Sequence, residues 1–182
     1  MHYSRLEISD IVLCEPKVFL DNRGYFIETF RKDKFTEFLG YNVEFCQDNE
    51  SMSTFGVIRG LHYQVAPHTQ SKLVRVIKGR VLDVAVDIRK DSPTFGRHVA
   101  VELSDENKNQ LFIPKGFANG FVVLSKEAIY AYKVDNYYNK DSERGIAYND
   151  KVLDIDWKLS ADELESSVKD MHLPLFKEAE YL

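Results

Sequence analysis

The chain has 182 residues, 44% hydrophobic and 13% aromatic, which suits one folded domain with a sizeable core and excludes a disordered chain. Its formal charge of -5 lacks the basic field that bulk nucleic-acid binding needs, yet leaves room for a local basic pocket around one diphosphate. Met1–Glu7 holds no apolar signal core, and runs such as Phe121–Leu124 are far short of the ~20 residues that span a bilayer, so a soluble, cytoplasmic protein is expected.

Along the chain, Asp21-Asn22-Arg23-Gly24 is turn chemistry between two extended segments, because Asn and Gly accept left-handed backbone. Arg31 to Leu39 reads as a short helix with Phe35, Phe38 and Leu39 on one face and Gly40 as its C-terminal cap. Strands then follow one another. Lys78-Gly79 separates Leu73–Val76 from a run in which Val84, Val86 and Ile88 alternate with Ala85 and Asp87, a pattern that predicts a hairpin with one mostly apolar face. Further strands are expected at His98–Leu103, Leu111–Ile113, Phe121–Leu124 and Ala128–Val134, with turns at Asp91-Ser92-Pro93, Asp105-Glu106-Asn107 and Pro114-Lys115-Gly116. With 12 Phe and 10 Tyr, many short strands at steady spacing predict an all-β sandwich or jelly roll. Near the C-terminus Ser160 and Glu163 have the spacing of a capping box and predict a helix to about Val168. Cys14 and Cys46 have no ligand-like spacing and read as reduced thiols.

Polar residues inside apolar strand patterns mark a site, because a polar group directed into a barrel costs desolvation unless it is paired or binds something. Gln47-Asp48-Asn49, Arg59, His62, Gln64, Lys72 and Arg75 are of this kind. Each has a plainer reading. Asp48 and Asn49 could form a turn, Arg59 could pair with Asp83 or Asp87, His62 could be a satisfied core histidine, and Lys72 could be solvated at a strand start.

Small jelly rolls of the cupin type often hold a metal through a His-x-His pair and a later histidine. Here those positions read His62-Tyr63-Gln64 and Asn119, and Gln and Asn are poor replacements for imidazole. His2, His68, His98 and His172 show no ligand spacing, so no metal is expected.

Asp21–Phe26, Gln47–Asn49, Arg59–Gln64, Lys72–Arg75, Asp83–Asp87, Ser92–Gly96, Ile113–Phe117, Tyr132-Lys133, Ser142-Glu143 and Asn149-Asp150 resemble, in order, the dTDP-4-dehydrorhamnose 3,5-epimerase family. The resemblance covers the chain from about Asp10 and implies a cupin-type jelly-roll barrel with short peripheral helices. It also implies a homodimer with exchanged N-terminal segments. The implied reaction inverts carbons 3 and 5 of dTDP-4-keto-6-deoxyglucose without a cofactor, on the way to dTDP-L-rhamnose. Such chemistry needs a base on one face of the sugar, a proton donor on the other and a positive group at the enolate oxygen. His62 matches the family's base, Asp170 the carboxylate that orients it, Lys72 the group at the enolate and Tyr132 the donor. Arg59 matches a diphosphate ligand and Tyr138 an aromatic stacked on thymine. Gln47, Asn49, Arg23, Glu28, Glu143 and Lys169 match further contacts, with Arg23 and Glu28 serving the partner subunit's site.

One position departs from the pattern. The family usually reads Gly-Phe-Ala-His-Gly-Phe where this chain has Gly116-Phe117-Ala118-Asn119-Gly120-Phe121. Asn119 can donate through its amide at the oxyanion but can neither carry charge nor relay a proton. Epimerisation with an altered electrostatic contribution is expected, and the alternative this opens is a 3-epimerase acting on a related nucleotide-linked 4-keto-deoxysugar. A cupin ketoisomerase would bring a histidine-rich site that is not found, and a sugar-binding module would have no need of His62, Lys72, Tyr132 and Asp170 together.

Overall fold

The computed structural model describes residues 1–181. The strands are β1 His2–Arg5, β2 Val12–Glu15, β3 Val18–Asp21, β4 Gly24–Ile27, β5 Gln47–Thr54, β6 Val57–Gln64 and β7 Lys72–Lys78. They continue as β8 Arg80–Asp87, β9 His98–Ser104, β10 Gln110–Ile113, β11 Phe117–Val123, β12 Glu127–Val134, β13 Glu143–Gly145 and β14 Glu165–Ser166. One sheet has the order β1-β2-β10-β7-β12-β5, and the other β13-β6-β11-β8-β9 with β14 beside the start of β6. The two sheets close on a shared interior and form the expected jelly roll.

Three apolar clusters hold it. Val74, Val76, Val81, Ala85, Leu111, Phe117, Phe121 and Tyr130 fill the space between the sheets. Ile58, Leu82, Val84, Val86 and Ile88 cover the outside of the second sheet, where Leu153, Trp157 and Phe176 of the C-terminal segment pack on them. Helix α1, Lys32–Leu39, lays Phe35 and Leu39 on Val12, Leu73 and Phe112 outside the first sheet. It ends as expected, with Gly40 left-handed at φ 81° and its N–H on the Thr36 carbonyl.

Four expectations are corrected. Lys78-Gly79 does not close a hairpin: β7 lies between β10 and β12, and β8 between β11 and β9, so the chain turns a corner from one sheet to the other. Gly79 makes that corner at φ 80°, where an added Cβ would sit 2.0 Å from the Glu127 carbonyl oxygen. The alternation in β8 hides no solvent face. Its apolar side meets the C-terminal segment, and Asp83, Ala85 and Asp87 are also buried.

The helix expected after Ser160 is absent. Only half of a capping box forms, around a single turn: the Glu163 carboxylate accepts from the Ser160 N–H and hydroxyl, while the Glu163 N–H donates to the Ser160 carbonyl and not to its side chain. Leu164 onward is extended instead, and the Glu165 N–H donates to the Gly56 carbonyl as β14 pairs in parallel with β6. Tertiary pairing supplies backbone partners that a short isolated helix could not better. Finally, Asp48 and Asn49 form no turn but sit in β5, paired with β12.

Candidate active site

The inner faces of the two sheets supply the side chains of a cavity of about 500 Å3. His62 comes from β6, paired with Asn119 of β11 and Gly145 of β13. Its Nε2 lies 2.9 Å from Asp170 Oδ1. Asp170 starts a short 3-10 turn in the C-terminal segment, and it is buried. Its Oδ2 accepts the Gly60 N–H at 3.1 Å, and its own N–H donates to Ser167 Oγ at 3.1 Å. Burial works to raise the Asp170 carboxyl, but the His62 bond and charge and the Gly60 N–H outweigh it and hold it below its ordinary value. An ionised Asp170 accepts a hydrogen bond from Nε2–H, which leaves the other ring nitrogen unprotonated and able to act as a base.

Tyr132 stands on β12, in the opposite sheet, and lines the same cavity. Burial raises its phenol, Arg59 opposes and Glu143 adds, so the net shift is upward and the hydroxyl keeps its proton as a donor must. Lys72, at the start of β7, points its ammonium at Asn119 Oδ1, 3.5 Å away, and lies 6.0 Å from the centre of the Tyr132 ring. Burial lowers it to about 8 against the pull of Asp83 and Glu143. Lys72 thus reaches from the sheet that carries Tyr132 to Asn119, the strand neighbour of His62.

Arg59 does not pair with a core carboxylate. Asp83 takes Tyr130 and Asn119, and Asp87 takes Arg89, Ser92 and Thr94, while Arg59 Nε donates to Ser53 Oγ at 3.0 Å. Its planar end is open toward the cavity, and Lys169 lines the same space. At the mouth Glu143 Oε2 accepts from Lys169 Nζ at 2.6 Å and Tyr138 Oη at 2.9 Å. Burial raises Glu143, but the Lys169 and Tyr138 bonds leave it net lowered. Gln47 Oε1 accepts the Tyr138 N–H at 3.2 Å and its amide donates to Asn49 Oδ1 at 2.8 Å. Buried Gln64 braces the same loop through the carbonyls of His68 and Tyr137 and the N–H of Asn139, a structural role.

Arg23 and Glu28 are not brought into this cavity. Arg23 sits exposed in the β3–β4 turn, paired with Asp21 at 2.6 Å, and Glu28 faces a separate cleft with Met1, Tyr3 and Arg31. Arg75 lies on the outer side of its sheet, in a cleft with Asp48, Glu50 and Lys133.

Three residues that sequence reading passed over belong to the site. Tyr130 stacks on Phe121 at 4.1 Å and donates to Asp83 at 2.5 Å. It lies two residues before Tyr132, so the strand period alone places both on one face. Asp83 is wholly buried, and burial raises it to about 7 against the hydrogen bonds and the Lys72 charge. Ser166 Oγ is buried without a partner among the described residues and lines the cavity. Nothing in its local sequence signals that.

The model of the dTDP-4-dehydrorhamnose 3,5-epimerase family matches residues 5–178. The chain belongs to this family. A dTDP-4-dehydrorhamnose 3,5-epimerase of Shigella flexneri is 54% identical over 100% of this chain and 99% of its own. The crystal structure of the 3,5-epimerase from Elizabethkingia anophelis NUHP1 shares 49% identity at a TM-score of 0.94, covering 98% of this chain and 97% of that one. That of the dTDP-6-deoxy-D-glucose-3,5-epimerase from Legionella pneumophila Philadelphia 1, in complex with dTDP-4-keto-L-rhamnose, shares 48% at a TM-score of 0.93, covering 97% and 93%. As an epimerase of this family the chain is an isomerase.

Its departure from the family pattern at Asn119 has a specific geometry. The amide nitrogen donates to Asp83 Oδ1 at 2.8 Å and to the Val84 carbonyl at 3.1 Å. Two acceptors fix which end is nitrogen and use both of its N–H groups. The expectation that Asn119 donates to the oxyanion is therefore corrected: its oxygen, not its nitrogen, faces Lys72.

Proposed function

We propose that the chain inverts carbons 3 and 5 of dTDP-4-keto-6-deoxyglucose, toward dTDP-L-rhamnose, by moving protons next to the ketone. The observation that carries this reading is the His62–Asp170 pair on one wall of the cavity, with Tyr132 on the facing wall and Lys72, from the Tyr132 sheet, reaching Asn119 beside His62. His62 removes the proton and the C–H electron pair becomes the enolate double bond. Lys72 faces the oxygen that gains charge, and Tyr132 returns a proton from the other side. Both carbons flank one ketone, so a single cation serves both enolates. Arg59 and Lys169 hold the diphosphate, while Tyr138, Gln47, Asn49 and Glu143 hold the nucleoside and sugar at the mouth. The name shared by the relatives and the keto sugar bound in the Legionella enzyme favour double over single inversion.

The test is to incubate the protein with that sugar nucleotide in deuterated water and follow the sugar protons by NMR. Exchange at both carbons with inversion is expected; no exchange at either would overturn the reading. Tyr132→Phe should separate the two half-reactions. Deuterium still enters through His62, but formation of the inverted product falls by about 10²-fold or more. Inversion at the wild-type rate would remove Tyr132 from the donor role.

One domain of this kind, acting in the cytoplasm as a homodimer, is part of the same proposal. The β3–β4 hairpin stands off the sandwich with Leu20 79% and Phe26 68% exposed beside Phe19 and Tyr25, apolar surface that a second copy would cover. The same hairpin carries Arg23, so exchanging it would deliver Arg23 and Glu28 to the partner's cavity. A double Leu20→Asp, Phe26→Asp variant should run as a monomer in light scattering and bind dTDP at least about tenfold more weakly, as lost contacts to a phosphate would imply. A dimer with unchanged affinity would contradict the exchange.

A further inference from the structure

Building on the proposed reaction, we infer that Asp83 is a positioning residue: through the Asn119 amide it holds the Lys72 ammonium charged and aimed at the developing oxyanion. Asp83 is wholly buried on the inner face of β8, where an isolated carboxylate would be expelled or neutralised. It keeps two donors, Tyr130 Oη at 2.5 Å and Asn119 Nδ2 at 2.8 Å. The far end of that same amide receives Lys72 Nζ at 3.5 Å. Above the value of about 7 to which burial raises Asp83, the ionised carboxylate, the amide dipole and the ammonium thus lie in series, negative to positive, and end at the cavity.

The amide at position 119 gives this series its character. An imidazole there could take a proton and neutralise Asp83 directly. An amide cannot, so the Asp83 charge is passed on to Lys72, and Asn119 itself brings no charge to the oxyanion. Tyr130 is held by stacking on Phe121 at 4.1 Å, which keeps its hydroxyl on the carboxylate.

The groups around Lys72 decide the sign. Asp83 from β8 and Glu143 from β13 favour its charged form. His62 and Arg59 from β6, Asp170 and Lys169 from the C-terminal segment, and Tyr130 and Tyr132 from β12 line the same cavity. Glu143 is already engaged by Lys169 and Tyr138. Asp83 is therefore the acidic group whose hydrogen bonds lead to Lys72. Burial alone drives the amine neutral, and losing Asp83 leaves that drive less opposed.

The experiment follows the Lys72 side-chain carbon next to its nitrogen by NMR in lysine-labelled protein, its signal assigned by its loss in Lys72→Arg. Asp83→Asn keeps the shape and an acceptor for Asn119 but removes the charge. Lys72 should then titrate about one pH unit lower, and the alkaline limb of kcat should move down with it while KM changes little. Tyr130→Phe, which keeps the stacked ring and removes the donor to Asp83, should move both in the same direction by less; it also carries the test if Asp83→Asn fails to fold. An unmoved Lys72 titration in these variants would overturn the inference. The titration needs no turnover, so a wild-type protein that leaves the sugar unexchanged would defeat the proposed function and not this reading.

Discussion

His62→Ala is expected to abolish deuterium uptake at both carbons beside the ketone, with kcat down by about 10³-fold or more, at the upper end of what a positioned base contributes. One imidazole serves both positions because one ketone activates both. The variant should lose the two exchanges together, never one alone. Folding should survive, since the ring is partly exposed and its strand is held by pairing with β11 and β13. Calorimetric binding of dTDP is the control. Affinity near wild type with exchange gone assigns His62 to chemistry, whereas retained exchange would return it to the role of a satisfied core histidine. Asp170→Asn should lie between. Asparagine keeps an acceptor for Gly60, but it no longer stabilises the imidazolium that forms when the base takes its proton.

Lys72→Met is the second large effect, a fall in kcat of about 10²- to 10³-fold, the range for removing one preorganised group at a developing oxyanion. Methionine fills nearly the same volume and removes only the charge and its donors. On the proposed reading Arg59, Lys169 and the mouth serve ground-state binding, so KM should change far less than kcat. The pH profile gives the sharper evidence. Lys72 sits at about 8, and only its protonated form stabilises the enolate, so wild-type kcat should fall as pH rises through that region. The Lys72→Met variant should be slow and lack that limb. A variant with wild-type kcat, or one that keeps the alkaline fall, would show that something else stabilises the oxyanion.

These expectations were legible in the sequence to unequal degrees. Strand period and turn residues located the strands from β7 to β12, the β3–β4 hairpin, the α1 helix and its Gly40 cap, because these depend on neighbours in the chain, but not β1, β2, β13 or β14. Ser160 and Glu163 show the limit of that signal. The Glu163 side chain makes its expected bond to the Ser160 N–H, yet the backbone beyond joins β6, a partner far away in sequence. The corner at Gly79 is the same lesson for strands, since two adjacent runs look alike whether they pair or part into different sheets. For the site, the family motifs named His62, Lys72, Tyr132 and Asp170.

Residue order alone therefore carries the list of groups and their periodicities, together with the asparagine at position 119 where the family usually has histidine. How these groups are arranged follows from the fold. It placed Tyr132 across the cavity from His62, turned the Asn119 nitrogen onto Asp83 so that its oxygen faces Lys72, and left Arg23 on the β3–β4 hairpin and Glu28 in a separate cleft, both outside the cavity. The physical reason is that the energies concerned are desolvation and long-range charge. They depend on which atoms from distant strands exclude water from one another, and no local pattern of residues records that.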